Sequence, residues 1–358
     1  MTLPPPTRPQ PSLAPWLQTQ LQSLLMQRGH AWLLAGPSGL GQFQLALALA
    51  KAWLCEAATP NGACNICGSC HAFDVHTHAD LSVLVPEVLS LELDWPLDEK
   101  TQRDLDEKKR KPSKEIKVEA ARGMVSFTQF TRSRGSTKVV LVFPAERMNT
   151  ITANTLLKTL EEPPGAVKFV LATEAVHQLL PTIRSRCLGH SMVWPGFDAA
   201  LGWLQAASSM GHGDDKKPAK PASLSDLKIL LNAAGGRPED ALAWVQTGQV
   251  AATAQGWQAL PKAMAAGNVA ALGDFLPAEA VDALQKLCHD VWAVAVGSQP
   301  RFFSLADLPA GATKFSMPAL AVWAKELSAS KRTVEHPYNP GLMLEALASR
   351  AKLALTAR

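Results

Sequence analysis

The chain has 358 residues, 47% of them hydrophobic and 18% charged, with a formal net charge of +4. This length suits two or three domains of about 100–200 residues each, and the composition is that of an ordinary globular protein. The mild positive charge permits contact with nucleic acid but argues against a stand-alone high-affinity binder, whose domain would be more strongly basic.

The first stretch, Met1 to Pro15, is Pro-rich and is expected to be a mobile tail. It has no apolar h-region of a secretory signal, and no later run approaches the roughly 18 apolar residues of a membrane span. The expected location is the cytoplasm. Trp16 to Arg28 has helical spacing, with Leu17, Leu21, Leu24 and Leu25 on one side. The short apolar run Ala31–Ala35 fits a buried strand.

That run leads into Gly36-Pro37-Ser38-Gly39-Leu40-Gly41 and then a helix over Gln42–Cys55. Strand, Gly-rich loop and helix form the context of a phosphate-binding loop. Such a loop needs Lys and then Ser or Thr after its last Gly, one for the phosphates and one for Mg²⁺. Gln42 and Phe43 stand there instead, so Gly36, Gly39 and Gly41 read as a vestigial phosphate loop. A plain Gly turn between strand and helix accounts for the same residues.

Four of the six Cys follow as Cys55-x8-Cys64-x2-Cys67-x2-Cys70. Three thiols at knuckle spacing plus one at the end of the preceding helix can close a tetrahedral Cys₄ shell around a structural Zn²⁺. Such a shell leaves no open position for water, which argues against a catalytic role. His71, His76 and His78 lie just beyond and could fill one ligand slot. Basic and aromatic residues are missing between Cys64 and Cys70, against its use as a nucleic-acid binder.

Leu81–Val85 reads as another strand, and 87–114 as a charged insertion in a loop. Its run Lys108–Lys111 could touch DNA, although a solvated flexible loop is the plainer reading. Helical periodicity resumes through Ile116, Val118, Ala121 and Val125, and KVVLVF at Lys138–Phe143 is a buried strand. Asn154 onward reads as a helix ended by Pro163-Pro164-Gly165, then a strand over Val167–Thr173 and a turn into Arg184-Ser185-Arg186-Cys187. Cys187 lacks the partner set of a nucleophile and suits a small buried residue. Helices are expected at Asp198–Ala207, Leu224–Ala234 and Glu239–Thr247, with a disordered loop at 208–223. From about Ala251 the chain has helical spacing and no strand signals; Ala278–Val296 and Pro340–Leu355 are the clearest helices. Pro340 suits a first helical position, and Trp292 and Trp323 read as core residues.

LLKTLEEPP, followed by LAT and then SRC between Asn154 and Cys187, resembles the bacterial clamp-loader subunits of DNA polymerase III, members of the AAA+ class, and looks most like their delta prime family. The resemblance runs from about Trp16 to the C-terminus, with two insertions. It implies an α/β domain with a five-stranded, mostly parallel sheet and zinc module over 16–194. A helical lid over 195–248 and an all-helical collar over 249–358 would follow. It also implies that Arg186 is an arginine finger acting in trans on a neighbour's ATP site, with Arg184 a weaker candidate. A guanidinium suits phosphate oxygens because its charge is permanent and its donors form a rigid fork. Thr173 would be the sensor-like polar residue.

Two further departures from an active AAA+ ATPase stand beside Gln42 and Phe43. The Asp-Glu pair expected after Lys138–Phe143 is replaced by Phe143 and Pro144, with Glu146 the nearest acid. The lid Arg expected before Asp-Ala-Leu is replaced by Glu239, with Arg237 displaced. The resemblance therefore implies a scaffold subunit with no ATP hydrolysis of its own. Its partners would be the ATPase subunits tau/gamma and the delta subunit, with the sliding clamp and primed DNA reached through the complex. An ATPase active in its own right and a lone zinc-containing nucleic-acid binder are the competing readings.

Overall fold

Ala31–Ala35 (β1) is apolar throughout and almost wholly buried, as a strand covered on both faces must be. In the computed structural model, which describes residues 13–209, 222–311, 315–334, 336 and 339–357, β1 sits inside a parallel sheet. Its other strands are Leu81–Leu84 (β2), Lys138–Val142 (β3), Val167–Thr173 (β4) and Leu188–Ser191 (β5). Among the described residues the sheet has five strands in the order β2-β3-β4-β1-β5, every neighbour pair parallel. β3 and β4 carry the same apolar signature as β1, so all three were visible in the sequence. β5, Leu-Gly-His-Ser, has no such signature and is mostly exposed; its strand character comes from pairing to β1, Trp32 opposite Leu188 through Ala35 opposite Ser191.

The chain divides into two compact units, Met1–Pro195 and Gly196–Arg358. In the first, Pro15–Leu25 (α1) precedes β1, and Gln42–Leu54 (α2) follows it. Gly68–Asp74 (α3) leads toward β2. Val118–Gln129 (α6) and Thr150–Glu161 (α7) pack one core with β3 and β4, in which Met124, Leu156, Phe169 and Ile183 are buried. Gln20 on α1 ties the sheet edge down: its side-chain oxygen accepts the Val193 N–H at 3.0 Å and lies 2.9 Å from His190 Nε2.

The charged stretch 87–114 is more ordered than a solvated loop. It forms Glu87–Glu92 (α4) and Glu99–Asp106 (α5), the latter capped by Asp98. The reason is one carboxylate. Glu87, 8% exposed, accepts from Arg110 Nη2 at 3.0 Å, Lys117 Nζ at 2.6 Å and the Ser113 N–H at 2.8 Å. A buried carboxylate with three donors anchors both ends of the segment. Arg110 is thereby engaged within the chain, and with Lys108, Lys109 and Lys111 it lines an open groove of about 640 Å³.

The second unit is helical. Phe197–Ser209 (α9), Leu224–Ala233 (α10) and Pro238–Gln246 (α11) enclose a small core of Leu201, Leu204, Leu227, Leu231 and Ala241. Val250–Ala266 (α12), Pro277–Ala295 (α13), Met317–Thr333 (α14) and Pro340–Thr356 (α15) share a larger one, with Trp323 buried and Trp292 packed against it. Asp290 on α13 is fully buried and accepts the N–H groups of Arg301, Phe302 and Phe303 at 2.7–2.9 Å, holding that loop over the helix. Pro340 does occupy a first helical position, behind the Asn339 cap. Ser208 and Ser209 end α9 and Ser223 caps α10; the remainder of the expected disordered loop, 210–221, lies outside the described residues, as does 1–12 of the expected tail. Pro15 itself begins α1. No helix among the described residues is long and apolar enough to cross a membrane.

Burial works to raise the Glu87 carboxyl, and the Arg110, Lys117 and Ser113 contacts outweigh it, holding the group down at about 2. A carboxyl depressed on folding stabilises above its unfolded value and loses that contribution as pH falls through the folded one. Glu87→Gln should therefore lower stability by roughly 2 kcal/mol at pH 7. The gap to the parent should narrow between pH 4.5 and 2, as checked by denaturant unfolding across that range.

Candidate functional site

β1 ends against β4, with Ala35 opposite Thr173. The Gly36 N–H continues the ladder to the Thr173 carbonyl at 3.2 Å. Gly36 has no room for a side chain, since a Cβ there would lie 2.7 Å from Met192. Gly41 caps α2 in the left-handed region (φ +88°), and a Cβ on it would lie 2.6 Å from Leu17. The loop is thus a tightly packed turn that opens a helix at the carboxyl end of a central strand, where open α/β sheets bind ligands.

The side chains around it face inward. Gln42 is 2% exposed, and its Nε2 donates to the carbonyls of Gly36 and Pro37 at 2.7 and 2.6 Å. The next residue, Phe43, stacks on Phe143 with ring centroids 5.1 Å apart. Two rings a hundred residues apart in sequence therefore meet in one apolar contact. Thr173 is fully buried, and its hydroxyl donates to Glu146 Oε2 at 2.7 Å. The Glu174 N–H donates to Oε1 of the same carboxylate at 3.0 Å. Glu146 thus contacts Thr173, a contact the linear spacing did not reveal.

Arg186 follows the short helix Pro181–Arg184 (α8). Its guanidinium donates to the Thr182 carbonyl at 2.9 Å and forms an ion pair with Glu161 at the end of α7; the side chain is 33% exposed. Arg184 is exposed. Cys187 is half-buried against the sheet core, and burial pushes its thiol up to about 12. In the second unit, Glu239 lies in the first turn of α11. Burial, then the charge of Asp240, raises its carboxyl to about 7. Arg237 is turned to Asp240 at 2.9 Å and to the Ala234 carbonyl at 2.8 Å.

Cys55, Cys64, Cys67 and Cys70 converge, with all four sulfurs within 4.8 Å of one another. The Cys55–Cys67 and Cys64–Cys70 separations are 3.9 and 4.0 Å. A tetrahedral shell with Zn–S bonds of about 2.3 Å has sulfurs about 3.8 Å apart, so the four thiols could hold one metal ion. Backbone N–H groups of Ala57 and Cys64 point at the Cys55 sulfur, and that of Cys70 at the Cys67 sulfur, favouring thiolates. The histidines are not part of the cluster. His76 stacks on Trp95, with ring centroids 4.0 Å apart, and His78 is buried beside Ser69.

The Ile66 N–H leads in lowering the Cys64 thiol, against burial. Burial would raise Cys67, but the N–H groups of Cys70 and Glu56 and the Cys70 and Cys64 thiols outweigh it and bring it to about 6. Burial, reinforced by Cys67, raises Cys70, and burial takes Cys288 to about 12. At pH 7, iodoacetamide should therefore label Cys67 first in the metal-free chain and leave Cys70, Cys187 and Cys288 until last. Peptide mapping over time checks this order; labelling of Cys187 or Cys288 as fast as Cys67 would contradict it.

Residues 10–192 match the family described as DNA polymerase III, delta subunit. DNA polymerase III subunit delta' of Pseudomonas aeruginosa is 36% identical over 63% of this chain and 58% of its own length. The Escherichia coli subunit of the same name is 30% identical over 65% of this chain and 60% of its own. The match thus spans about six tenths of these relatives. Among solved structures, a DNA polymerase III gamma-subunit-related protein of Thermotoga maritima is 15% identical, covering 95% of this chain and 99% of its own at a TM-score of 0.46. The sheet, the Gly loop and the SRC segment all lie within or beside the matched stretch, and the chain belongs to the DNA polymerase III delta-subunit family, with its likeness there to delta prime.

Proposed function

We propose that this chain is a scaffold subunit of the DNA polymerase III clamp loader that hydrolyses no ATP itself and supplies Arg186 to a neighbouring ATPase subunit. The observation that carries the first half is the inward closure of the loop site. Gln42 spends its amide on the loop's own carbonyls, and Phe43 and Phe143 stack where a hydroxyl and an acid would hold Mg²⁺. A neutral amide offers phosphates no charge, and two phenyl rings offer a cation no oxygen ligand.

The second half rests on chemistry and placement. Arg186 is partly exposed, and its guanidinium is held by a partly exposed carboxylate, Glu161, and by the Thr182 carbonyl of its own short helix. An exposed pair of this kind is worth only about 0–1 kcal/mol, so exchange of Glu161 for a phosphoryl group of a neighbour costs little. On this reading the partners are the tau/gamma ATPases and the delta subunit, acting with the sliding clamp and primed DNA in the cytoplasm during replication. Residues 195–248 act as the lid and 249–358 as the collar that joins subunits. The Cys₄ cluster holds a structural Zn²⁺, whose contribution is to cross-link the segment between α2 and α3.

The purified chain with Mg²⁺ should neither bind nor hydrolyse ATP. An assembled loader carrying Arg186→Ala should stay intact and lose DNA-stimulated hydrolysis severalfold, since an arginine supplied in trans is worth about 10³–10⁵ at the site it serves. Steady-state ATPase assays with gel filtration of the complex check both. Turnover by the lone chain would support the active-ATPase reading instead, and unchanged hydrolysis in the variant loader would remove the finger role.

A further inference from the structure

The four thiols approach from unequal arms. Two residues separate Cys64 from Cys67 and Cys67 from Cys70, but eight separate Cys55 from Cys64. The long arm has the larger closure cost, so something must hold Cys55 near the knuckle. Ser69, 1% exposed and next to Cys70, makes bonds on both sides of Cys55. Its hydroxyl donates to the Leu54 carbonyl at 2.6 Å, and its N–H donates to Glu56 Oε1 at 3.2 Å. The residues flanking the distant thiol are thus tied to the residue preceding Cys70.

His78 sets the direction of that hydroxyl. The Asp80 N–H donates to His78 Nδ1 at 3.1 Å, which makes Nδ1 the acceptor and leaves Nε2 to carry the hydrogen. Nε2 lies 2.6 Å from Ser69 Oγ and donates to it. The hydroxyl proton is then directed to Leu54. The donors run in one sense from Asp80 to Leu54. Asp80 is itself fixed, because its carboxylate accepts the Ser133 and Arg134 N–H groups at 2.7–3.1 Å. The sheet edge at β2 therefore braces the cluster.

We propose that Ser69, directed by His78, is the positioning residue of the Cys55–Cys64–Cys67–Cys70 site, holding the long arm closed so that the four sulfurs are gathered before a divalent soft metal arrives. This rests on the reading of the cluster as a metal site. Groups that hold ligands in place in this way are worth about 10–100-fold in metal affinity.

The test is zinc affinity of the full chain by competition with a chromogenic chelator, together with the rise in melting temperature on adding zinc. Ser69→Ala and His78→Phe should weaken zinc binding ten- to a hundredfold and shrink the zinc-dependent rise. Glu56→Ala, which removes the acceptor of the Ser69 N–H from an exposed side chain, should weaken binding severalfold. A residue that only stabilised the fold would lower the melting temperature equally with and without zinc; that result, or zinc affinities within threefold of the parent for all three variants, would overturn the proposal alone. A parent chain that binds no zinc would overturn the metal reading and the proposal with it.

Discussion

The parallel pairing of β1 with β4 is the constraint on which the first unit depends. Its register, Ala31 opposite Phe169 through Ala35 opposite Thr173, leaves both strands buried on both faces. A parallel strand in that position must be followed by a crossover packed on the sheet, and α2 is that crossover. The loop before α2 then has to turn within a few residues beneath Leu17 and Met192, which is why Gly36 and Gly41 carry no side chain. The same register brings Thr173 beside the loop. The turn between β1 and α2 is thus required by the fold itself.

This separates packing from chemistry. The glycines answer to steric limits set by their neighbours, whereas positions 42, 43 and 143 carry amide and phenyl side chains. Each has found a role inside the protein: Gln42 satisfies two carbonyls, and Phe43 and Phe143 give apolar area to each other. Buried polar groups left without partners are costly, so a loop without a phosphate benefits from a side chain that bonds to it from within.

The charged and metal-site regions follow one pattern, in which a single buried polar group organises a segment too poor in apolar residues to pack alone. Glu87 gathers Arg110, Ser113 and Lys117. Asp80 holds the loop at Ser133–Arg134, and Asp290 holds Arg301–Phe303. Ser69 and His78 extend the pattern to the cysteines. In each case a carboxylate or hydroxyl bonds to a separate segment of chain, through at least one backbone group, which reduces the freedom that segment would otherwise retain.

By itself the sequence determined the elements whose burial writes a periodic pattern. β1, β2, β3, β4 and the helices of the second unit were legible because apolar spacing reflects which faces are covered, and the cysteine spacing announced a cluster because ligand geometry limits how the chain can run. Only the tertiary structure decided the rest. β5 is a strand because β1 offers it an edge, not because Leu-Gly-His-Ser favours one. The helices within 87–114 form where local composition argued for a loop, because Glu87 sits 23 residues from Arg110 and 30 from Lys117. Glu146 meets Thr173, Glu161 meets Arg186, and Phe43 meets Phe143 across separations that no local pattern records. Such contacts depend on where distant elements are brought by the sheet, and a one-dimensional reading registers periodicity and spacing but not that convergence.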